Sequence, residues 1–438
     1  MIKLLVCIPT YERDGIIRDF LEEKLEAYLS FDMHVCCVDS SESNHTESAC
    51  EGYLGLFPEF QYEKWDSAIH PNVKFIRLLE KRNLSEDYDY IWICQDALSC
   101  NYNGIKRIME KLDEGYDLVH IGNKLLPNCD LKEYVSPEEY FVELGWNATL
   151  FGAVILKTST FIKDVDWDWY EKVCLNEACL LYSQISFIFN RALEIRKFRA
   201  IYIDLAEDYI VSKKKTKSGW HDEMFDVYCK DWINAIDLLP NTYPNKDEVI
   251  RQLPHKSAIR NEADLISLRL ESVYNEKKYQ QYRERLQRLL PFSNVLLKRV
   301  ASGRKDELSR IIWELDEAKL SEIKAFWGEN KEIYLYGAGQ FGEAILNMLE
   351  YHAIRIKGFV VTEKRFDSYL NYPVLEISEC KDITDGRLIL SVGARYFYEL
   401  LVSLQTLIGR ERIWADLDFN EYAYSRERVF QQGFHYEQ

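Results

Sequence analysis

Three apolar, strand-like runs of the chain each lead into polar residues that could do chemistry. The first run ends in PTYER at residues 9–13, the second in Asp39 and Ser40, and the third in Gln95 and Asp96. In an α/β fold the carboxyl ends of parallel strands meet at one edge of the sheet, and ligands usually bind there. We therefore expect these residues to form a single binding site.

Asp39 has the plainest chemical interpretation among these residues. A carboxylate only accepts hydrogen bonds, so Asp39 suits the imide of a uracil base or a ribose hydroxyl. Considered singly, Pro9 and Asp39 could also do no more than end strands and cap helices. Their occurrence together, at the ends of successive strands, favours a nucleoside site.

The elements that must position these residues follow a βαβ rhythm over residues 1–240. Short apolar runs alternate with longer amphipathic stretches, which is typical of a mainly parallel sheet with helices on its faces. The apolar runs are continuous, which indicates strands covered on both faces. We predict strands at residues 3–8, 33–38, 73–78, 90–94, 118–121 and 153–156, and helices at residues 14–29 and 105–112.

Three segments in this order resemble the nucleotide-diphospho-sugar glycosyltransferases of the GT-A fold, family 2 type. They are the opening CIPTYER, the run that ends in Asp39, and YDYIWICQDA around Asp96. The resemblance covers residues 1–240 and implies a Rossmann-like GT-A domain in which Asp96 is catalytic, beside the ribose or the diphosphate. It also implies a donor site formed by Pro9, Thr10, Tyr11, Arg13, Asp39, Ser40 and Gln95.

The resemblance further implies a divalent cation, Mn²⁺ or Mg²⁺, held by two carboxylates, because a hard metal prefers oxygen ligands and neutralises the leaving diphosphate. This chain departs from that pattern, since Ala97 and Leu98 follow Asp96 where further acids are expected. His221 resembles a C-terminal ligand of some relatives. We predict Asp96 and His221 as metal ligands, with a structural or exposed role as the alternative for His221.

Transfer with inversion needs a base that takes the proton of the acceptor hydroxyl while the nucleoside diphosphate leaves from the other face. The second half of the domain offers four carboxylates: Asp166, Asp168, Glu171 and Glu177. We predict Glu177, because it precedes an apolar helical stretch in which partial burial would raise its pKa toward neutrality. Four tryptophans either stack on a sugar ring or belong to the core: Trp146, Trp167, Trp169 and Trp220.

Residues 241–330 change to charged helical sequence and are interpreted as a helical linker or accessory region. Helical periodicity is present at residues 265–290 and 305–326. Within residues 282–305, seven bases accompany one acid in an otherwise acidic chain. This stretch is either a solvated face or a patch that contacts anionic lipid head groups, where each base contributes about 1 kcal/mol.

Residues 331–438 are expected to form a small Rossmann-like domain with a C-terminal tail. A strand enters GAGQFG, and a helix follows. Gly337, Gly339 and Gly342 fit the dinucleotide fingerprint, in which glycines permit a tight turn and let a phosphate approach the helix N-terminus. Glu363 lies just past the next strand, where the fingerprint places an acid. The motif either binds a nucleotide or serves packing or oligomerisation.

Composition limits the classes of partner. The chain has 438 residues and a net charge of −17, which argues against a nucleic-acid partner. Eleven cysteines without a CxxC pair indicate neither a zinc site nor a disulfide framework. No run approaches the ~18 apolar residues of a membrane span. We therefore expect a cytoplasmic protein, peripheral at the inner membrane face if the basic stretch binds lipid, and leave a homo-oligomer open.

The leading hypothesis is an inverting glycosyltransferase that moves a sugar from a nucleotide-sugar, expected to be a UDP-sugar. The resemblance implies a surface-glycan, lipid-linked or glycoprotein acceptor, as in bacterial capsule and polysaccharide biosynthesis. Two alternatives stay open. Ala97 and Leu98, in place of acids, favour a non-catalytic scaffold that binds sugar nucleotides in a glycan-assembly complex. The GAGQFG motif allows an NAD-dependent oxidoreductase instead.

Overall fold

The computed structural model describes residues 2–57, 59–80, 84–96, 98–211, 220–328, 332–379 and 386–432. The chain divides into two compact units, residues 1–253 and residues 254–438. The predicted α/β class is confirmed, because the first unit holds a large, mainly parallel sheet and the second holds helices and a smaller sheet. The three-domain division predicted at residues 240 and 330 stays a prediction.

Within the described residues, the strands of the first unit are β1 (Leu4–Thr10), β2 (His34–Asp39), β3 (Phe60–Lys64), β4 (Tyr90–Ile93), β5 (Leu98–Cys100), β6 (Leu118–Gly122), β7 (Leu131–Tyr134), β8 (Val154–Lys157), β9 (Ala200–Asp204) and β10 (Tyr209–Val211). Eight of them form one sheet in the order β3-β2-β1-β4-β8-β6-β9-β7. Strands β3, β2, β1 and β4 are parallel, and so are β6 and β9, whereas β8 and β7 are antiparallel to their neighbours. β5 and β10 form a separate antiparallel pair.

The helices that accompany this sheet are α1 (Asp14–Ser30), α2 (His45–Glu51), α3 (Pro71–Glu80), α4 (Leu84–Asp87), α5 (Tyr102–Asp113), α6 (Pro137–Leu144), α7 (Thr158–Phe161), α8 (Trp167–Cys174), α9 (Ser183–Glu194), α10 (Met224–Asp226), α11 (Ile233–Asp237) and α12 (Lys246–Ser257). A π-helical segment, Val227–Trp232, joins α10 to α11. None of the helices in the described ranges combines the length and apolarity that a membrane span requires.

The central strand β1 shows why the apolar runs are continuous. Leu4, Val6 and Ile8 belong to a core cluster that includes residues of α1. The intervening Leu5 and Cys7 are buried as well. Because successive side chains of a strand point to opposite faces, burial of both sets means that β1 is covered on both sides.

The strand predicted at residues 73–78 is wrong, because this segment belongs to helix α3. Phe75, Leu78 and Leu79 are buried at the three- and four-residue spacing of one helical face. Pro71 occupies the first helical position, where its missing N–H costs no hydrogen bond. A short, continuous apolar run does not by itself distinguish a buried strand from a buried helix.

Helices open the second unit: α13 (Glu262–Leu270), α14 (Glu276–Leu289), α15 (Asn294–Ser302) and α16 (Lys305–Trp327). The helix predicted at residues 305–326 is confirmed by α16, whereas the one predicted at residues 265–290 is two helices. Ser272 has a positive φ of 66° after α13. The Asn275 side chain then caps α14 by accepting the N–H of Lys278. Such a cap starts a new helix.

The second sheet contains β11 (Glu332–Tyr336), β12 (Gly358–Val361), β13 (Ser368–Tyr369), β14 (Tyr372–Glu376), β15 (Gly386–Leu390) and β16 (Ile413–Trp414), in the order β13-β14-β12-β11-β15-β16. All of its described pairs are parallel except β13 with β14. The helices α17 (Gln340–Tyr351), α18 (Ala394–Ile408) and α19 (Leu417–Gln431) complete the unit. The C-terminal tail was expected to follow residue 415, and helix α19 occupies much of that segment.

The basic stretch of residues 282–305 is distributed over α14, α15 and the start of α16. Arg299, in this stretch, donates from Nε to Glu307 at 2.8 Å and from Nη1 to Glu314 at 2.7 Å, so its charge is paired within the unit. Val295 is 69% exposed between the bases. The predicted contact with lipid head groups stays a prediction.

Candidate functional site

A topological switch point lies between β1 and β4. The chain proceeds from β1 outward to β2 and β3, and then returns to the other side of β1 as β4. Loops that leave neighbouring parallel strands in opposite directions open a crevice at the carboxyl edge of the sheet. Thr10 ends β1, Asp39 ends β2, and Asp96 follows β4, so the sequence correctly predicted that these residues share one edge.

Asp96 joins the two sides of this crevice. Its Oδ2 accepts a hydrogen bond from Thr10 Oγ1 at 3.0 Å, and its Oδ1 accepts one from Arg13 Nη1 at 2.8 Å. The Asp96 side chain is 2% exposed, while that of Arg13 is 37% exposed. Arg13 therefore has a partly exposed side chain whose guanidinium is held beside the buried carboxylate of Asp96.

Glu12 fastens the loop after β1 to the loop after β2. Its main chain has a positive φ of 49°, and its N–H donates to Ser41 Oγ at 2.7 Å. Its carboxylate accepts the N–H groups of Glu42 and Ser43 at 2.7 and 3.0 Å, and the Ser43 hydroxyl at 2.7 Å. The hydrogen bonds from Ser43 lower the pKa of Glu12 below its ordinary value. Glu12 lies in the PTYER segment but was not among the predicted donor-site residues.

Asp39 is fully buried and its two oxygens are occupied. Oδ1 accepts the N–H and the hydroxyl of Ser41, at 2.8 and 2.5 Å, and Oδ2 accepts Tyr62 Oη at 2.7 Å and Lys64 Nζ at 3.1 Å. Burial alone would raise the pKa of Asp39, but these hydrogen bonds outweigh it and hold the pKa below its usual value. A carboxylate has about four acceptor positions. Asp39 can therefore accept from a nucleoside only after one of these donors moves.

Replacing Asp39 by asparagine gives a pH-dependent prediction. Because the pKa of Asp39 is depressed in the folded protein, its stabilising effect is present above the unfolded pKa and is lost as pH falls through the folded pKa. We expect Asp39→Asn to be less stable than the wild type at about pH 7 and the difference to shrink toward pH ~3. Urea denaturation at several pH values measures this. An unchanged difference across that range would contradict the assigned pKa direction.

Lys74 of α3 is a site residue that the sequence argument missed. It is 2% exposed, and its Nζ donates to the carbonyl oxygen of Thr10 at 3.2 Å and to Ser40 Oγ. Both acceptors are neutral, and burial lowers the pKa of Lys74 below its ordinary value. The signal in the sequence was a lysine inside an apolar run, which is uncommon unless the charge is used or paired.

The other predicted donor residues lie in the same segments. Pro9 is within β1 and partly buried, and Tyr11 follows that strand with 48% exposure. Ser40 is buried and accepts from Lys74. Gln95 is partly buried between β4 and Asp96. Their contacts with a nucleotide stay predictions.

Glu177, the predicted base, lies on the turn between α8 and α9 and is exposed. The prediction that Glu177 is partly buried, which was the reason for choosing it as the base, is therefore wrong. Asp166, one of the other candidates, caps α8 by accepting the N–H of Trp169. The role of general base stays a prediction for Glu177, without support from burial.

The four tryptophans differ in exposure. Trp167 stacks on Phe187 with ring centroids 5.7 Å apart and planes 3° apart, which is a packing contact. Trp146 is partly buried. Trp169 and Trp220 are each 42% exposed, so their rings retain surface that a sugar could contact.

The described residues of the first unit provide no ready-made ligand set for the divalent cation that the resemblance implies. Among the described residues, no group of three His, Cys, Asp or Glu side chains is placed to hold a metal ion. The residues of positions 1–253 outside the described ranges contain none of these four residue types, so they add no such ligand. Asp96 is already paired with Arg13, and His221 lies partly buried in the turn before α10.

The GAGQFG turn of the second unit is closely packed. Gly337 has a φ of +116°, and a Cβ there would lie 2.9 Å from the carbonyl oxygen of Ser391. A Cβ on Gly342 would lie 2.1 Å from the carbonyl oxygen of Gly337, whereas Gly339 has nothing within 4 Å. Two of the three glycines are thus required by packing, and nucleotide binding by this motif stays a prediction.

Gly342→Ala is expected to destabilise the second unit by about 2 kcal/mol, the usual range for an overpacked position. Gly339→Ala is the matched control, because its φ of −151° suits alanine and its surroundings are open. Urea denaturation of the two variants measures the difference. Equal stabilities would mean that the turn relaxes without cost.

Comparisons with known proteins find solved structures of similar fold but no family model or curated protein that matches the chain. Several solved structures are similar to it. S. aureus TarS in complex with UDP-GlcNAc has 13% identity and a TM-score of 0.40, over 66% of this chain and 84% of that chain.

Two other neighbours were also solved with a nucleotide sugar. Mannosyltransferase PcManGT from Pyrobaculum calidifontis, in complex with GDP-Man and Mn²⁺, has 12% identity and a TM-score of 0.37, over 67% of this chain and 84% of its own. Glucosyl-3-phosphoglycerate synthase from Mycobacterium tuberculosis, with Mn²⁺ and UDP-glucose, has 11% identity and a TM-score of 0.35, over 55% and 81%. Similarity at this level carries no information about the substrate of this chain.

Proposed function

We propose that this protein is a glycosyltransferase that takes a sugar from a nucleotide-sugar donor. The observation that carries the proposal is the convergence of Thr10, Arg13, Asp39 and Asp96 at the switch-point crevice of a mainly parallel sheet. The same residues carry the sequence resemblance to GT-A glycosyltransferases. The chemistry of these side chains and their position in the fold therefore both support a donor site at this edge of the sheet.

The donor is expected to be a UDP-sugar that lies across the ends of β1, β2 and β4. The nucleoside would contact the loops that Glu12 fastens together, and the diphosphate would face Arg13 and Asp96. Arg13 suits this role because a guanidinium offers several fixed donors to phosphate oxygens. The acceptor is expected to be a surface glycan, a lipid-linked precursor or a glycoprotein.

Transfer would proceed with inversion. The acceptor oxygen forms a bond to the anomeric carbon as the bond from that carbon to the phosphate oxygen breaks, and the electron pair leaves with UDP. The acceptor proton passes to a carboxylate, for which Glu177 remains our candidate. The cationic side chains near the crevice, Arg13, Lys64 and Lys74, would stabilise the negative charge that develops on the leaving group.

Release of nucleoside diphosphate from a panel of UDP- and GDP-sugars tests the proposal. Thermal unfolding of the full chain with each nucleotide gives an independent readout, because a ligand at a hundredfold excess over Kd stabilises by about 2.7 kcal/mol. We expect stabilisation by one nucleotide and turnover of its sugar. Stabilisation without turnover would instead indicate a sugar-nucleotide-binding scaffold, and the absence of both would refute the proposal.

A further inference from the structure

The carboxylates at the switch-point crevice already accept hydrogen bonds from protein donors. Asp96 accepts from Arg13 and Thr10, and Asp39 accepts from four donors. Glu12 accepts from Glu42 and twice from Ser43. A divalent cation of the hard type takes about six oxygen ligands. Such an ion could bind Asp39 only if a protein donor left, and it would share Asp96 and Glu12 with their present partners.

Three cationic side chains lie at the same carboxyl edge of the sheet. Arg13 is ion-paired with Asp96 but 37% exposed, and Lys64 is 35% exposed beside Asp39. Lys74 is buried, and the hydrogen bonds of its ammonium go to a carbonyl oxygen and a hydroxyl. The Asp39 carboxylate is near Lys74 but not hydrogen-bonded to it. A buried ammonium with only neutral acceptors is costly, so a further anion nearby would be favoured.

We propose that the diphosphate of the donor is bound by Arg13, oriented by Asp96, and that donor binding and transfer need no divalent cation. The inference rests on the proposed function and specifies how its site recognises the phosphates. Asp96 is then a positioning residue for the guanidinium. A charged hydrogen bond from Arg to a phosphate is about twice as strong as a neutral one, and the pair is often bidentate.

The experiment compares UDP with uridine on the full chain, by thermal unfolding and titration calorimetry, with EDTA or with Mn²⁺. In EDTA we expect UDP to bind at least tenfold more tightly than uridine. Arg13→Gln should remove most of this difference and leave uridine binding within about twofold, because only the phosphate contact is lost. Arg18→Gln, at an exposed arginine of helix α1, which begins directly after Arg13, is the matched control.

The outcomes separate the inference from the proposed function. If UDP binds, and the donor turns over, only when Mn²⁺ is present, the inference is wrong and the glycosyltransferase proposal stands. If UDP binds in EDTA but Arg13→Gln keeps the full preference over uridine, the role of Arg13 is refuted. If neither UDP nor GDP binds under either condition, the proposed function itself fails.

Discussion

Asp96→Ala is expected to lower turnover at least a hundredfold while the protein stays folded. Asp96 contacts both Thr10 and Arg13, so its removal frees the guanidinium from its fixed position at the crevice. Loss of one oriented electrostatic group in an active site typically costs about 10²- to 10³-fold in rate. Steady-state release of the nucleoside diphosphate, with the donor identified by the panel above, measures the effect.

A matched control is available at the other end of β4. Asp89 precedes β4 at the opposite end from Asp96, is exposed, and accepts the N–H of Lys3 at 2.9 Å. Asp89→Ala should keep turnover within about twofold, because surface substitutions away from special features have small effects. If Asp96→Ala were as active as Asp89→Ala, with both variants folded by circular dichroism, Asp96 would have no part in the reaction.

Asp316→Ala is expected to destabilise the second unit by about 3–5 kcal/mol, which is the usual cost of breaking a buried ion pair. Asp316 of α16 is completely buried. It accepts Arg426 Nε at 2.8 Å and Tyr422 Oη at 2.8 Å, both from α19, and lies 3.1 Å from His352 Nε2 at the end of α17. Its removal would leave Arg426 buried with an uncompensated charge.

The neighbouring Glu317 provides the comparison. Its carboxylate lies 2.8 Å from Nδ1 of the same histidine, His352, but its side chain is 44% exposed. Glu317→Gln should cost less than about 1 kcal/mol, as exposed ion pairs usually do. Urea denaturation of both variants measures the free energy of unfolding. If Asp316→Ala and Glu317→Gln lowered the free energy of unfolding by similar amounts, burial would not determine how much these carboxylates stabilise the second unit.

The sequence was sufficient to predict that Thr10, Asp39 and Asp96 share an edge. Apolar runs indicate strands, and parallel strands in an α/β fold place their carboxyl ends together, so three polar strand ends define a crevice. The class of fold and the strands β1, β2 and β4 followed from the same pattern. These features depend on periodicity, which is visible in a single sequence.

Side-chain partners could not be predicted in the same way. Asp39 was expected to face a nucleoside, but Tyr62 and Lys64 of β3 occupy one of its oxygens, and nothing in the sequence pairs these positions. Lys74 was missed because its apolar segment was predicted as a strand. On a helix, the same lysine reaches Thr10 and Ser40 across the ends of two strands. Such contacts depend on tertiary packing, which local patterns do not encode.

The fastening of two loops through Glu12 has a consequence for how a ligand arrives. Because the loops after β1 and β2 are already joined by four hydrogen bonds, binding need not first order them. Mobile loops would lose conformational entropy when the nucleotide binds, whereas these loops have already lost it on folding. Nucleotide association should then occur in a single fast phase. Removing the hydrogen bonds of Ser43 to Glu12 should lower the association rate of the nucleotide more than the turnover rate.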